Sequence, residues 1–438
     1  MKSTEGSRRP APVLLRPFQE FFAQEAAGAS LLLLCTAVAL AWANSPGSEA
    51  WVRLWQTEVS IGVGRLGIAK SLHHWINDGL MAVFFFVVGL EIKREFLVGE
   101  LASPRQAVLP LAAAAGGMIV PALLFTAVNA GGPAAGGWGV PMATDIAFAL
   151  GVLSLLGPRV PLPLKVFLAA LAIVDDLGAV LVIALFYTDA ILTGWLGLAA
   201  ALFAAMVAMN RLHVRRPLPW ALMGAALWFA VLESGVHATI AGVLTALVMP
   251  ARRLIDTSDF AARTRALLAE FTDDLPGSGE LTEDQRDAVL SLEVATEAVQ
   301  SPSARLEHAL HPWVAYFIMP VFALANAGVP LGGSFARALL EPAAAGIMLG
   351  LVVGKPVGIM LFAWVAVRSG LAQPPAGVSW RQLWGVAALC GIGFTMALFI
   401  ADLAFGATPV LDAAKAGILA GSLVSGGVGW VGLRRGGR

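Results

Sequence analysis

LAIVDDLGAVLVIALFY, residues 171–187, places two adjacent carboxylates, Asp175 and Asp176, inside an apolar stretch that runs from 162 to 187. As a helix rising ~1.5 Å per residue, this stretch is long enough to span a bilayer. A charge at that depth costs roughly 2.5–3.5 kcal/mol on insertion scales, and two adjacent charges also repel each other. Because folding gains nothing from these charges, the pair predicts a site for cations or protons.

The composition of the chain is that of a membrane protein. Of its 438 residues, 58% are hydrophobic and 13% are charged, whereas soluble domains carry about 25% charged residues. The formal net charge is zero, which gives no indication of nucleic acid or of an acidic partner. Both cysteines, Cys35 and Cys390, fall in apolar stretches, which argues against a disulfide scaffold.

Hydropathy predicts an all-α polytopic membrane protein with about twelve transmembrane helices. Basic residues concentrate in alternate connections, which predicts that both termini lie in the cytoplasm. The basic N-terminal segment before residues 30–42 also resembles a secretory signal, but we expect an uncleaved first span. The predicted spans are 24–44, 72–95, 107–128, 135–157, 162–187, 191–210, 217–232, 235–250, 306–329, 340–367, 382–405 and 412–433.

The chain is predicted to be a single membrane transporter domain, 1–438, with two polar additions. The connection 45–71 contains alternating polar and apolar residues, which predicts a short extracytoplasmic β-hairpin. The segment 251–304 is a cytoplasmic insert that contains two helix-capping patterns and hence two predicted amphipathic helices. Whether the insert is a solvated linker or a regulatory element stays open.

Two of the predicted spans are poor continuous helices. Residues 136–146 contain Pro141, several glycines and Asp145, while residues 390–396 carry Gly391 and Gly393 at their centre. Interrupted backbone at membrane depth is tolerated where it lines a cavity or meets polar partners, and a pair of such segments indicates an ion site. The alternative is that the glycines only allow close helix packing. Thr144 beside Asp145 favours the functional interpretation for the first segment.

Lys355 is a second charge inside an apolar span. The nearer end of that span is too far for its side chain to reach an interface, so a carboxylate partner is expected. The candidate partners are Asp175, Asp176 and Asp145. Because consecutive helical residues are about 100° apart around the axis, Asp175 and Asp176 cannot both point squarely at one ion.

A third group of charged residues lies near the predicted cytoplasmic edge, at the end of the second span and the start of the ninth. Composition alone favours solvated helix ends, but histidine titrates near neutral pH, so a pH-responsive entrance is a second interpretation. The residues are Glu91, Lys93, Arg94, Glu95, Glu307, His308 and His311.

Five motifs carry these residues: GLEIKRE at 89–95, ATDIAFALG at 143–151, VDDLG at 174–178, GKP at 354–356 and GIGFT at 391–395. In order and spacing they resemble the NhaA-type Na⁺/H⁺ antiporters, over nearly the whole chain. Interrupted helices beside an ion site are a known feature of this family, so that indication is not independent of the resemblance. The insert 251–304 departs from the family's pattern.

The resemblance implies inverted repeats and two broken helices that cross at the midplane of the membrane. It implies that Asp175 and Asp176 bind Na⁺ or Li⁺ and exchange protons, supported by Thr144, Asp145 and Lys355. It also implies a bacterial inner-membrane homodimer in contact through the hairpin, with no cofactor beside the transported ions. The implied pH-responsive residues are Glu91, Glu95, Glu307 and His308.

The sequence therefore predicts a secondary antiporter rather than an enzyme: electrogenic, pH-regulated exchange of cytoplasmic Na⁺ or Li⁺ for external protons. The runner-up is a sodium-coupled solute symporter, which would need an additional substrate pocket. An intramembrane aspartyl protease would need two carboxylates that share one proton, most simply from separate helices. A passive channel would give large single-channel currents.

Overall fold

The computed structural model of the chain describes residues 16–63, 66–188, 191–251, 255–273 and 281–436. These residues form 17 helices and a two-stranded antiparallel sheet. The elements are α1 Arg16–Ala43, α2 Ser48–Gln56, β1 Glu58–Val63, β2 Leu66–Ser71, α3 Leu72–Val98, α4 Pro104–Asn129, a 3₁₀ helix Ala135–Met142, α5 Ile146–Leu156, α6 Leu162–Phe186, α7 Thr193–Arg211, α8 Pro217–Glu233, α9 Thr239–Val248, α10 Thr257–Asp273, α11 Glu283–Val299, α12 Pro302–Asn326, α13 Gly333–Ala338, α14 Pro342–Arg368, α15 Trp380–Leu389, α16 Phe394–Phe405 and α17 Pro409–Gly436.

The predicted all-α polytopic membrane fold is confirmed. Among the described residues, nine helical segments are long and apolar enough to cross a bilayer, and the pair α15 and α16, bent by 46° at its break, is a tenth. The shorter apolar helices α8 and α9 coincide with the predicted seventh and eighth spans. The inverted-repeat relation between the two halves stays a prediction, and the basic residues before α1 lie outside the described residues.

The predicted β-hairpin is present between α2 and α3. Strands β1 and β2 pair antiparallel, with Glu58 opposite Ser71 and Ile61 opposite Ile68. The Trp75 indole Nε1 of α3 donates a 2.9 Å hydrogen bond to the Val59 carbonyl, which ties the hairpin to the start of that helix. The hairpin therefore marks the end of the molecule that the sequence predicts to be extracytoplasmic.

The insert contains the two predicted helices, α10 and α11, which pack against each other. The capping pattern before α11 is formed as expected: the Gln285 backbone N–H donates to Thr282 Oγ1 at 3.2 Å, and the Thr282 N–H donates to Gln285 Oε1 at 3.1 Å. Residues 252–254 and 274–280 lie outside the described residues. The second range includes LPGSG at 275–279, whose proline and glycines predict a break between the two helices. The limits and role of the insert, 251–304, stay predictions.

The chain divides into two compact units. The first consists of residues up to 81, 98–188 and 312 onward, and the second consists of residues 82–97 and 189–311. In the first unit, α4 packs closely along α14. The two helices are so near each other that a methyl group on Gly116 would overlap the backbone carbonyl of Gly358. In the second unit, Leu90 joins a buried apolar cluster with Met206, Trp220 and Leu227.

Gly116→Ala tests the close packing of α4 against α14. The added methyl group would overlap the Gly358 carbonyl, which cannot swing aside, as well as the Phe362 side chain. We therefore expect a loss of about 1–3 kcal/mol in the free energy of unfolding. Gly427→Ala, in α17 with no atom within 4 Å of the added methyl group, is the matched control. It should gain up to ~1 kcal/mol from helix propensity. Denaturation in detergent measures both, and equal stabilities for the two variants would contradict the packing.

Candidate functional site

The two broken spans meet at their breaks, as predicted. Ala143, Thr144 and Asp145 are non-helical between the 3₁₀ helix and α5, and residues 390–393 separate α15 from α16. The Asp145 backbone N–H donates to the Ile392 carbonyl at 2.7 Å, and Thr144 Oγ1 donates to the Cys390 carbonyl at 2.9 Å. Backbone groups that the breaks leave without helical partners are thus paired across the crossing.

Asp145 sits at the N-termini of two helices at once. Its Oδ1 accepts the Phe148 N–H of α5 at 3.1 Å, and its Oδ2 accepts the Thr395 N–H of α16 at 3.1 Å. Thr395 Oγ1 also donates to Oδ2. A negative charge is favourable at a helix N-terminus, where unpaired N–H groups carry partial positive charge. The carboxylate, 1% exposed, therefore caps both helices.

Lys355 supplies the opposite charge. Its Nζ lies 2.5 Å from Asp175 Oδ2 and also donates to the carbonyl of Met142, the last residue of the 3₁₀ helix. Both side chains of this ion pair are fully buried. Of the three carboxylates that the sequence offers as partners, the structure selects Asp175. The ammonium thus balances both a carboxylate and the negative end of a helical segment.

The second oxygen of Asp175, Oδ1, is buried and makes no hydrogen bond of ordinary geometry within the part of the chain that the structure describes. The hydroxyl and backbone N–H of Thr144 also interact with this carboxylate. Asp176, the next residue of α6, is 2% exposed. Because a buried carboxylate oxygen without a well-formed hydrogen bond is costly, it favours a ligand at this position. A hard alkali cation and a proton both fit a carboxylate oxygen, by analogy with other hard cations.

The glycines of the second break allow the crossing to form. A methyl group on Gly391 would overlap the backbone carbonyl of Leu351 and the Ser425 hydroxyl. A methyl group on Gly393 would stand 3.1 Å from the Ala143 carbonyl, on the other broken span. The glycines therefore allow close helix packing, and that packing is what brings the two breaks of the ion site into contact. The two interpretations of these glycines apply together.

The third charged group forms ion pairs between α3 and α12, within the second unit. Arg94 Nε lies 2.9 Å from Glu307 Oε1, and His311 Nδ1 lies 3.7 Å from Glu91 Oε1. Glu95 lies 3.4 Å from the Arg94 guanidinium, whereas His308 is exposed.

The basic residues of this group have unequal roles. Lys93 donates to the Leu247 carbonyl at 2.7 Å and to the Met249 carbonyl, and so closes the C-terminal end of α9. Arg94 and His311 were not predicted as site residues, yet each pairs with a predicted carboxylate. Whether this group responds to pH stays a prediction.

Sequence reasoning also missed Thr395 as a site residue, although it lies in the GIGFT motif. A second set of polar residues was missed near the hairpin: Asn77, Asn326, Asp402 and Lys415 are buried or partly buried there. Asp402 and Lys415 are charges within apolar stretches, and that signal could have found them.

Comparison with known proteins gives consistent results. The profile of the Na⁺/H⁺ antiporter 1 family matches residues 19–433. Over 428 residues, 97% of this chain and 95% of the relative, the sequence is 54% identical to the Na⁺/H⁺ antiporter NhaA of Oleidesulfovibrio alaskensis. It is 51% identical to the NhaA of Koribacter versatilis, over 97% of this chain and 93% of the relative. The NhaA 2 protein of Syntrophotalea carbinolica is 49% identical over 96% and 97%.

A double-mutant cycle on Lys355 and Asp175 measures the central ion pair. Lys355→Met leaves a buried carboxylate without its cation, and we expect a loss of about 3–5 kcal/mol in stability. Lys355→Met combined with Asp175→Asn removes both charges and should recover a large part of that loss. Denaturation of the four proteins in detergent at neutral pH gives the coupling energy. Additive effects of the two substitutions would show that the pair is not coupled.

Proposed function

The chain belongs to the Na⁺/H⁺ antiporter 1 family, and on that premise we propose that it is a secondary active transporter that exchanges Na⁺ or Li⁺ for protons. The observation that carries the proposal is that Asp175, paired with Lys355 through Oδ2, keeps a buried Oδ1 without a hydrogen bond of ordinary geometry, next to Asp176. This is an acidic site inside apolar helices, built where two helices break.

Exchange follows from competition for the same oxygens. A deprotonated carboxylate attracts Na⁺ or Li⁺, whereas the protonated acid binds them poorly. The Asp175 and Asp176 site therefore holds either the alkali cation or protons. When the site faces the two sides of the membrane in turn, this exclusion makes the two fluxes opposite and coupled.

Lys355 gives the site a further charge to use. A cation that arrives at Asp175 competes with the Lys355 ammonium for the carboxylate. If both aspartates, or one aspartate and Lys355, change protonation for each Na⁺, the cycle moves net charge. A membrane potential then contributes ~2.3 kcal/mol per charge per 100 mV. We propose that this drives Na⁺ out of a bacterial cell in exchange for external protons.

Thr144, Asp145, Gly391 and Gly393 support the site by holding the crossing, and no cofactor is required. We propose that the protein lies in the bacterial inner membrane with both termini in the cytoplasm, in line with the distribution of basic residues. We further propose a homodimer in contact through the hairpin, with residues 1–438 as one transporter domain and 251–304 as a cytoplasmic insert.

The geometry favours antiport over an intramembrane aspartyl protease. In a protease, two carboxylates from facing elements would share a proton, but Asp145 is engaged by the N-termini of α5 and α16. Asp175 pairs instead with a lysine. For a sodium-coupled symporter, exchange of Na⁺ for protons in the absence of any other solute is the deciding measurement.

Asp175→Asn and Asp176→Asn should each abolish Na⁺-driven proton movement. The amide retains the shape of the side chain but neither ionises nor exchanges a proton, so we expect a loss of at least about 100-fold. The measurement is the Na⁺-induced pH change in proteoliposomes, with the exposed Asp412→Asn as control. Full exchange by either site variant would refute the proposal, and solute-dependent Na⁺ uptake without proton movement would establish the symporter.

Glu307→Gln tests the proposed pH response of Glu91, Glu95, Glu307 and His308. Loss of the Glu307 charge breaks its ion pair with Arg94 and mimics the protonated form that low pH would produce. We therefore expect half-maximal exchange to move to more alkaline pH. Glu283→Gln, in the exposed first turn of α11, is the control. A pH profile of Glu307→Gln that overlays the wild type would exclude Glu307 from the response.

A further inference from the structure

A second buried polar cluster lies between the ion site and the hairpin. His73 Nε2 is 3.0 Å from Asn326 Oδ1, Asn326 Nδ2 donates to Asn77 Oδ1 at 2.9 Å, and Asn77 Nδ2 donates to Asp402 Oδ2 at 2.8 Å. His73 follows β2 by two residues, so the cluster is at the hairpin end of the molecule. We call these four residues the outer cluster.

Three helices meet in the outer cluster. Asn77 is on α3, Asn326 is the last residue of α12, and Asp402 is on α16. Lys415 of α17, only 8% exposed, interacts electrostatically with Asp402 and Asp412. Asp78 and His74 are the other titratable groups nearby, and Asp402 interacts electrostatically with Asp78 and His73. The Asp402 carboxylate thus accepts one hydrogen bond from an amide and lies within electrostatic range of one buried cation.

Two buried aromatic side chains lie between the outer cluster and the ion site along α16. The rings of Phe322 and Phe399 meet edge to face with centroids 6.1 Å apart, and both are 0% exposed. On α16, Thr395, Phe399 and Asp402 follow at intervals of four and three residues, so they share one face. At ~1.5 Å per residue, Asp402 is about 10 Å beyond Thr395, which holds Asp145.

Along this face of α16, from the ion site toward the hairpin end, the Phe322 and Phe399 rings come first and the hydrogen-bonded outer cluster follows. The hydrogen bond between Asn77 and Asp402 joins α3 to α16. Asp145 caps the N-terminus of the same helix, α16. A charge-assisted hydrogen bond of this kind can be replaced by water once the side is open, so it can form and break in each cycle.

We propose that Asp402, held by Asn77, is a latch that keeps the ion site closed toward the hairpin end, and that this bond parts whenever the site opens on that side. Asp402 is thus a positioning residue for the exchange. The inference rests on the proposed antiport function, but the readout that tests the latch is thiol modification rather than transport.

Cys390 is a natural reporter for water access to the ion site. It is 0% exposed, its carbonyl accepts the Thr144 hydroxyl, and it interacts electrostatically with Lys355 and Asp175. The chain has two cysteines, so Cys35→Ala leaves Cys390 as its single thiol. The rate at which a membrane-impermeant methanethiosulfonate modifies Cys390 then follows the fraction of molecules open to the side of addition.

The experiment compares Asp402→Ala and Asp412→Ala in the Cys35→Ala background, in right-side-out and inverted vesicles. Asp402→Ala removes the latch, and we expect about tenfold faster modification from the hairpin side only. Asp412→Ala removes the other, exposed partner of Lys415 and should stay within twofold of its parent. Asp402→Asn keeps an acceptor oxygen for Asn77, and its rate should fall between the two. Asn77→Ala removes the donor and should match Asp402→Ala.

Equal rates for Asp402→Ala and Asp412→Ala would overturn the latch. Faster modification of Asp402→Ala from both sides would overturn it too, because a generally loosened fold admits the reagent without regard to side. Antiport measured in vesicles of the Cys35→Ala parent, in which Asp402 is intact, separates the two proposals. Side-specific modification without Na⁺-driven proton movement would retain the latch and remove the proposed function.

Discussion

Charge compensation at the crossing of the two broken spans is the constraint on which the rest of the site depends. Breaking a helix inside apolar surroundings leaves unpaired N–H groups at one end and carbonyls at the other. Asp145 satisfies the N-termini of α5 and α16, while Lys355 contacts the last carbonyl of the 3₁₀ helix. Lys355 also pairs with one oxygen of Asp175, and the other, buried oxygen remains available to a ligand.

Much of the fold could be predicted because most of the apolar runs are as long as a bilayer is thick. The limits of α6 and α14 differ from the predicted ones by at most two residues. The site residues could be predicted for a related reason: charges are rare at such depth, so Asp145, Asp175 and Lys355 stand out in composition alone. The domain limits, the dimer and the role of the insert remain predictions.

The pairings could not be predicted, because they depend on how each helix is rotated about its axis. Asp175 and Asp176 differ by about 100° on α6, and packing against neighbours decides which one faces Lys355. One such contact is Met118 of α4, which fills the space over Gly178 of α6. Thr395 was missed because its partner, Asp145, is 250 residues away in the sequence and is near it only where the two broken spans cross.

The contact between Gly116 and Gly358 joins α4 and α14 backbone to backbone, with no side chain between them to act as a hinge. Gly117, on the next position of α4, lies over Ile359 and beside the methylene stem of Lys355. A lysine that is seated in this way has little freedom to swing by itself. A change in the distance between Lys355 and Asp175 that preserves this contact would therefore carry α4 and α14 together as one body.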